Sequence, residues 1–176
     1  KSQSNTLTIT TGLPTQDFFS LSIQTPNIEG LIYDGVTSAL TIIASDRLGN
    51  PVPEGTAINF ITEGAQITPA SCTTNAGTCT TTFKSSESRP TDGRVSILAY
   101  AIGEKSFVDA NSNNDWDAGE IFYDIGDPYI DNDGDSHHGT GEFFITSSTS
   151  GTSACQPVNY GNALSRENSC TADWGE

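Results

Sequence analysis

The stretch TSALTIIASDRLGNPVPEGTAINFIT, residues 37–62, decides the fold. Two runs rich in Thr, Ile, Ala and Phe flank a segment dense in Gly, Asn and Pro, and β-branched and aromatic runs broken by such residues read as strand, turn, strand. The same grammar extends outward. Upstream, TLTITT (residues 6–11) and FFSLSIQ (residues 18–24) alternate apolar and polar residues around the breaker Gly12-Leu13-Pro14. Downstream, Asn75-Ala76-Gly77 is a hairpin signal between Cys72 and Cys79, and an alternating run follows at residues 80–83.

Pro90, Asp92 and Gly93 then precede RVSILAYA, residues 94–101, which places Val95, Ile97, Ala99 and Ala101 on one face that should be core. Helix formers are scarce, Met is absent and Lys plus Arg total 7. About seven short strands separated by turn clusters predict an all-β, immunoglobulin-like sandwich. At 176 residues the chain suits one domain with an elaborated loop.

The run DRLGNPVPEGTAINF, residues 46–60, resembles the signature of bacterial immunoglobulin-like domains of the invasin and intimin type. In that family a strand enters a Gly-Asn-Pro-Val-Pro turn followed by an inward Val or Ile and a Phe. Ile58 and Phe60 match those positions, and DGRVSILAYA resembles a later strand. The likeness covers roughly residues 8–101. It implies a module of a bacterial surface or secreted protein, set among neighbouring modules and acting as spacer or binding tip. The simplest family module has nothing like the segment from Asp109 onward.

A formal charge of −15 disfavours nucleic acid and anionic membranes, since phosphates are bound by surfaces that neutralise them. No apolar run approaches the ~20 residues that cross a bilayer, and KSQSNTLTIT holds no apolar signal core and reads as a mature terminus. Cations are the natural partners.

The charge is concentrated. Between Ser106 and Ser165 there is no Lys or Arg, whereas Asp109, Asp115, Asp117, Glu120, Asp124, Asp127, Asp131, Asp133, Asp135 and Glu142 all fall there. Residues 109–120, DANSNNDWDAGE, have the register of a twelve-residue calcium loop: Asp109, Asn111, Asn113, Asp117 and Glu120 at positions 1, 3, 5, 9 and 12, with the Asp115 carbonyl at position 7. Alternate residues of a tightly wound loop point inward and Glu returns two oxygens, which suits a hard cation taking six to eight oxygens. Calcium fits better than magnesium, whose site is smaller and more hydrated. Asn114 stands where Gly is usual, and Asn tolerates positive φ.

Residues 131–142, DNDGDSHHGTGE, repeat the register with Asp131, Asp133, Asp135 and Glu142, while Ser136 and His138 depart from it; Asp127 or Asp124 is expected to complete the ligands. Strand-like residues flank both loops, so they are expected as insertions at a sandwich edge, not as helix-loop-helix hands.

Catalysis is not expected. The adjacent His137 and His138 make a poor chelating pair, no nucleophile elbow or phosphate loop is legible, and carboxylates sharing a cation cannot act as a glycosidase pair. Trp116, Tyr123, Tyr129 and Trp174 compose a possible sugar-stacking platform, with Tyr123 and Tyr129 better suited to packing the insertion onto the sandwich.

Cys72, Cys79, Cys155 and Cys170 match no zinc spacing. Four cysteines allow three connectivities, of which the local pairs 72–79 and 155–170 close short loops, each adding about 2.5–3 kcal/mol and implying an oxidising compartment. The reading divides the chain into a sandwich (1–108), an acidic insertion (109–142), a closing strand (143–150) containing Phe143-Phe144-Ile145, and a disulfide-closed end (151–176). It describes a calcium-stabilised extracellular or cell-surface stalk, adhesion or assembly unit, with modules, identical subunits, a host protein or a glycan as partners. The alternatives are a calcium-dependent carbohydrate-binding module, or a filament subunit that exchanges the strand at residues 5–11.

Overall fold

The computed structural model describes residues 12–146, 151–153 and 165–174. A short 3-10 turn at Gln16–Phe18 leads into β1 (Phe19–Ile23), β2 (Thr37–Ala44), β3 (Ala57–Thr62), β4 (Gln66–Thr68), β5 (Ser71–Thr73), β6 (Thr78–Lys84) and β7 (Ile97–Tyr100). These seven strands form two antiparallel sheets, in the orders β1-β2-β6-β4 and β5-β3-β7. The sheets pack face to face as a sandwich. A small ladder of β8 (Ser106–Phe107) and β9 (Phe122–Tyr123) lies beyond them.

Alternation in the sequence becomes alternation in burial. Ser38, Leu40, Ile42 and Ala44 of β2 face inward, beside Cys79, Thr81 and Phe83 of the neighbouring β6 and across from Ile58 and Phe60 of β3 in the other sheet. Phe19, Val95, Ile97, Ala99 and Ala101 pack against this core from partly buried positions, so the face expected of residues 94–101 is the one used. Each fully buried Leu, Ile or Phe contributes on the order of 1.5–3 kcal/mol relative to exposure.

The turn after β2 is built around Asp46, which is only 3 % exposed. Its carboxylate accepts the backbone N–H groups of Gly12 (3.1 Å), Leu48 (2.9 Å) and Asn50 (2.8 Å) and the Asn50 amide (3.2 Å). Burial acts to raise the Asp46 pKa, but these donors outweigh it and hold it below the ordinary carboxylate value. Arg47, next in the chain, is thereby aimed out of the sandwich toward residues 109–114.

The Asn75-Ala76-Gly77 signal forms a two-residue turn: Asn75 and Thr78 exchange backbone hydrogen bonds of 2.9 and 3.0 Å, with φ of 48° at Ala76 and 72° at Gly77. A Cβ on Gly77 would meet the Ala44 carbonyl oxygen at 2.8 Å. The flanking strands do not continue as one hairpin. β5 joins the smaller sheet and β6 the larger, so the Cys72–Cys79 disulfide ties the two layers together instead of stapling a hairpin.

The expected closing strand also lies elsewhere. Phe144 bridges Tyr129, and Ile145 N–H donates to the Pro128 carbonyl (2.9 Å), so the described part of this run, residues 143–146, pairs within the acidic region, and residues 147–150 lie outside the described residues. The first expected strand, residues 6–11, falls outside the described residues, as does Cys155; Cys170 is buried.

Candidate metal centre

Residues 107–122, FVDANSNNDWDAGEIF, and 129–144, YIDNDGDSHHGTGEFF, are two copies of one unit offset by 22 positions. Each copy is a β-hairpin whose long turn is the acidic loop. In the first, Phe107 pairs with Phe122 and Val108 N–H donates to the Ile121 carbonyl (2.8 Å); in the second, Tyr129 pairs with Phe144 and Ile130 N–H donates to the Phe143 carbonyl (2.8 Å).

The internal hydrogen bonds coincide position by position. At position 1, Asp109 accepts the N–H groups of Asn113 (3.2 Å) and Asn114 (2.9 Å), and Asp131 accepts those of Asp135 (3.2 Å) and Ser136 (2.9 Å). At position 3, Asn111 and Asp133 accept from Asn113 (3.0 Å) and Asp135 (3.2 Å); at position 5, Asn113 and Asp135 accept from Asp115 (2.9 Å) and His137 (2.7 Å). At position 12, Glu120 takes the N–H groups of Ala110 (2.8 Å) and Asp117 (3.0 Å), and Glu142 those of Asn132 (2.6 Å) and Gly139 (2.7 Å).

Backbone twist coincides too. Position 6 has φ of 70° at Asn114 and 65° at Ser136, so both non-glycine residues adopt the left-handed turn. Position 11 is Gly119 and Gly141, with φ of 106° and 97°. At position 8 a ring nitrogen reaches the position 12 carbonyl: Trp116 Nε1 donates to Glu120 (3.1 Å), and His138 Nε2 lies 3.2 Å from the Glu142 carbonyl oxygen. The rings rest on the hairpin bases, Trp116 edge-on to Phe122 and His138 edge-on to Tyr129 and Phe144.

The donor sets differ in charge. In the second loop, single carboxylate oxygens of Asp131, Asp133 and Glu142 lie within 4.8 Å of one another. In the first loop Asn occupies positions 3 and 5, and the amides of Asn111 (2.6 Å) and Asn113 (2.8 Å) converge on one oxygen of Asp117 at position 9. Arg47 stands 3.9 Å from Asp109, donates to the Asn114 carbonyl and lies 4.3 Å over the Phe107 ring. The sandwich's own turn thus docks the first loop.

Partial burial works to raise the pKa of Asp109 and of Asp131. Backbone donation, from Asn114, Ser112 and Asn113 in the first case and from Ser136, Gly134 and Asp135 in the second, prevails and holds both below the ordinary value. The second loop brings three carboxylates close enough to share a cation, whereas in the first the Asn111 and Asn113 amides already donate to Asp117.

Of the expected ligands, Asp109, Asn111, Asn113, Asp117 and Glu120 turn into the first loop, with Asp115 exposed at position 7; Asp131, Asp133, Asp135 and Glu142 form the second. Asp127 stands apart. It is 0 % exposed and paired with Arg166 at 2.6 Å, an arrangement that compensates a buried carboxylate. Asp124 accepts from Gly126 and Thr171 N–H (2.9 Å each) and lies 3.5 Å from Lys105. These two anions bind the linker between the hairpins to the C-terminal segment.

The two tryptophans are engaged with each other and with the first hairpin's base. Trp116 and Trp174 stack at 5.1 Å, Trp174 meets Phe107 and Phe122 edge-on, and Tyr129 is 4 % exposed. Burial first, then the charges of Asp131, Glu142 and Asp135, push the Tyr129 pKa up to about 12. Matching loop spacings were legible in the sequence. The hairpin frames are signalled there by the repeated aromatic at position −2, Gly at 11 and Phe at 14.

Among known proteins, the chain matches no family model, no curated protein and no solved structure.

Proposed function

We propose that each loop binds one calcium ion and that the chain is a calcium-stabilised, immunoglobulin-like module of an extracellular or bacterial cell-surface protein, serving as a stalk, adhesion or assembly unit. The observation that carries the reading is the coincidence of the two loops' hydrogen-bond schemes, in which backbone N–H groups orient the carboxylate and amide oxygens of positions 1, 3, 5 and 12. Such all-oxygen sets fit calcium. The two-sheet β-sandwich suits such a module, and the inter-sheet disulfide suits an oxidising compartment.

The proposed role is mechanical. With Kd values of about 0.1–1 mM, millimolar calcium stabilises each loop by roughly 0.5–1.5 kcal/mol and relieves repulsion among its carboxylates. Calorimetric titration should show two calcium equivalents per chain, and thermal melts should fall on adding chelator. Absence of binding heat together with an unchanged melting temperature would refute the reading.

A further inference from the structure

The described C-terminal segment, residues 165–174, crosses both hairpins. At the second, Arg166 pairs with Asp127 and lies 4.3 Å over the Phe144 ring, and Ser165 bridges Pro128. At the first, Trp174 stacks on Trp116 with an interplanar angle of 4° and covers the edges of Phe107 and Phe122, the two residues that close the hairpin. Lys105 fixes that end of the segment by donating to the carbonyls of Asp173 (3.2 Å) and Trp174 (2.6 Å).

Trp116 is position 8 of the first loop, and its indole N–H holds the Glu120 carbonyl. Glu120 in turn holds the N–H groups of Ala110 and Asp117 through its carboxylate. A continuous chain of contacts therefore joins Trp174 to the position that supplies two oxygens.

We infer that Trp174 is a positioning residue of the first cation loop and that residues 165–174 form a strap whose docking and the loop's occupancy reinforce each other. The inference rests on the calcium reading above. Stacking against Trp174 fixes the Trp116 ring, the ring fixes Glu120, and a cation drawing on Glu120 fixes Trp116 for Trp174. Linkage requires the coupling to be reciprocal.

The test uses the whole chain with calcium alone. In a Glu142→Gln background, which isolates the first loop, Trp174→Ala should weaken calcium binding on the order of tenfold, and Trp174→Phe should restore most of the loss. Hydrogen exchange across residues 165–174 should slow when calcium is added. The chain has only two tryptophans, so the near-UV dichroism of the stacked pair should change with the same midpoint. Calcium heat in the unaltered chain, with Trp174→Ala within about twofold and exchange at 165–174 unmoved by calcium, overturns this inference alone. No heat in the unaltered chain overturns both.

Discussion

Glu120 and Glu142 each bind two backbone N–H groups and close a loop on itself. Replacing either by Gln keeps the shape, removes a charge and turns one acceptor into a donor that faces an N–H group. Glu120→Gln is expected to lower calcium affinity at its loop at least tenfold, more than about 1.4 kcal/mol, with a smaller fall in melting temperature in chelator than in calcium; calorimetry and melts with and without chelator check both parts. Asp46 makes the opposite case, a carboxylate whose work is structural. Its folded pKa is depressed, so the stability it contributes is present above the unfolded value near 4 and is lost as pH falls through the lower folded value. Asp109 and Asp131 shift in the same direction. Urea midpoints in chelator should therefore hold steady from neutral pH down to about pH 5 and drop below pH 4. Asp46→Asn should flatten part of that drop and cost about 1.5–3 kcal/mol at neutral pH, because charged acceptors hold their donors more strongly.

The loops share a frame and differ in self-compensation. The first has Asn at two ligand positions and Arg47 against Asp109, whereas the second gathers three carboxylates within 4.8 Å. Without a cation the second should open first: in chelator, hydrogen exchange across residues 131–142 should exceed that across 109–120, and calcium should narrow the gap. Equal exchange in chelator would show that this charge difference has no consequence. The same elements show why part of the fold was legible in the sequence. Ligand spacing in a tight loop is a local property, and so is the turn at Ala76 and Gly77, where Gly77 meets one of the two positive φ angles without steric cost. Pairing partners are not local. Phe143-Phe144-Ile145 has the same apolar character whether it closes a sandwich or, as found, the hairpin opposite Tyr129. Strands on either side of a tight turn read alike whether they stay in one sheet or part into two, as β5 and β6 do. Asp127 is another such case, since its partner Arg166 lies 39 residues away.

Across the whole molecule, few cations must serve a chain of formal charge −15. Three of them, Arg47, Lys105 and Arg166, are placed where the hairpins meet the sandwich and the strap, each beside a carboxylate and over an aromatic ring. They hold the hairpin bases, and of the three Arg47 reaches into an acidic loop, at Asp109, so repulsion among carboxylates is expected to be greatest in the second loop. Sandwich and hairpins should then respond differently to the medium. The sandwich rests on its apolar core and on Cys72–Cys79, whose loss should cost about 2–3 kcal/mol whether or not calcium is present. The hairpins are expected to rest on neutralisation of their carboxylates. Removing calcium should lower the melting temperature by roughly 2–4 °C for each kcal/mol forfeited. Raising monovalent salt in chelator should recover part of that loss by screening, at ionic strengths where the Debye length falls below about 8 Å. With calcium bound the same salt should change little, because the repulsion it screens has already been neutralised. A melting temperature equally sensitive to salt in both conditions would place the repulsion outside the loops and remove the electrostatic basis of the calcium role.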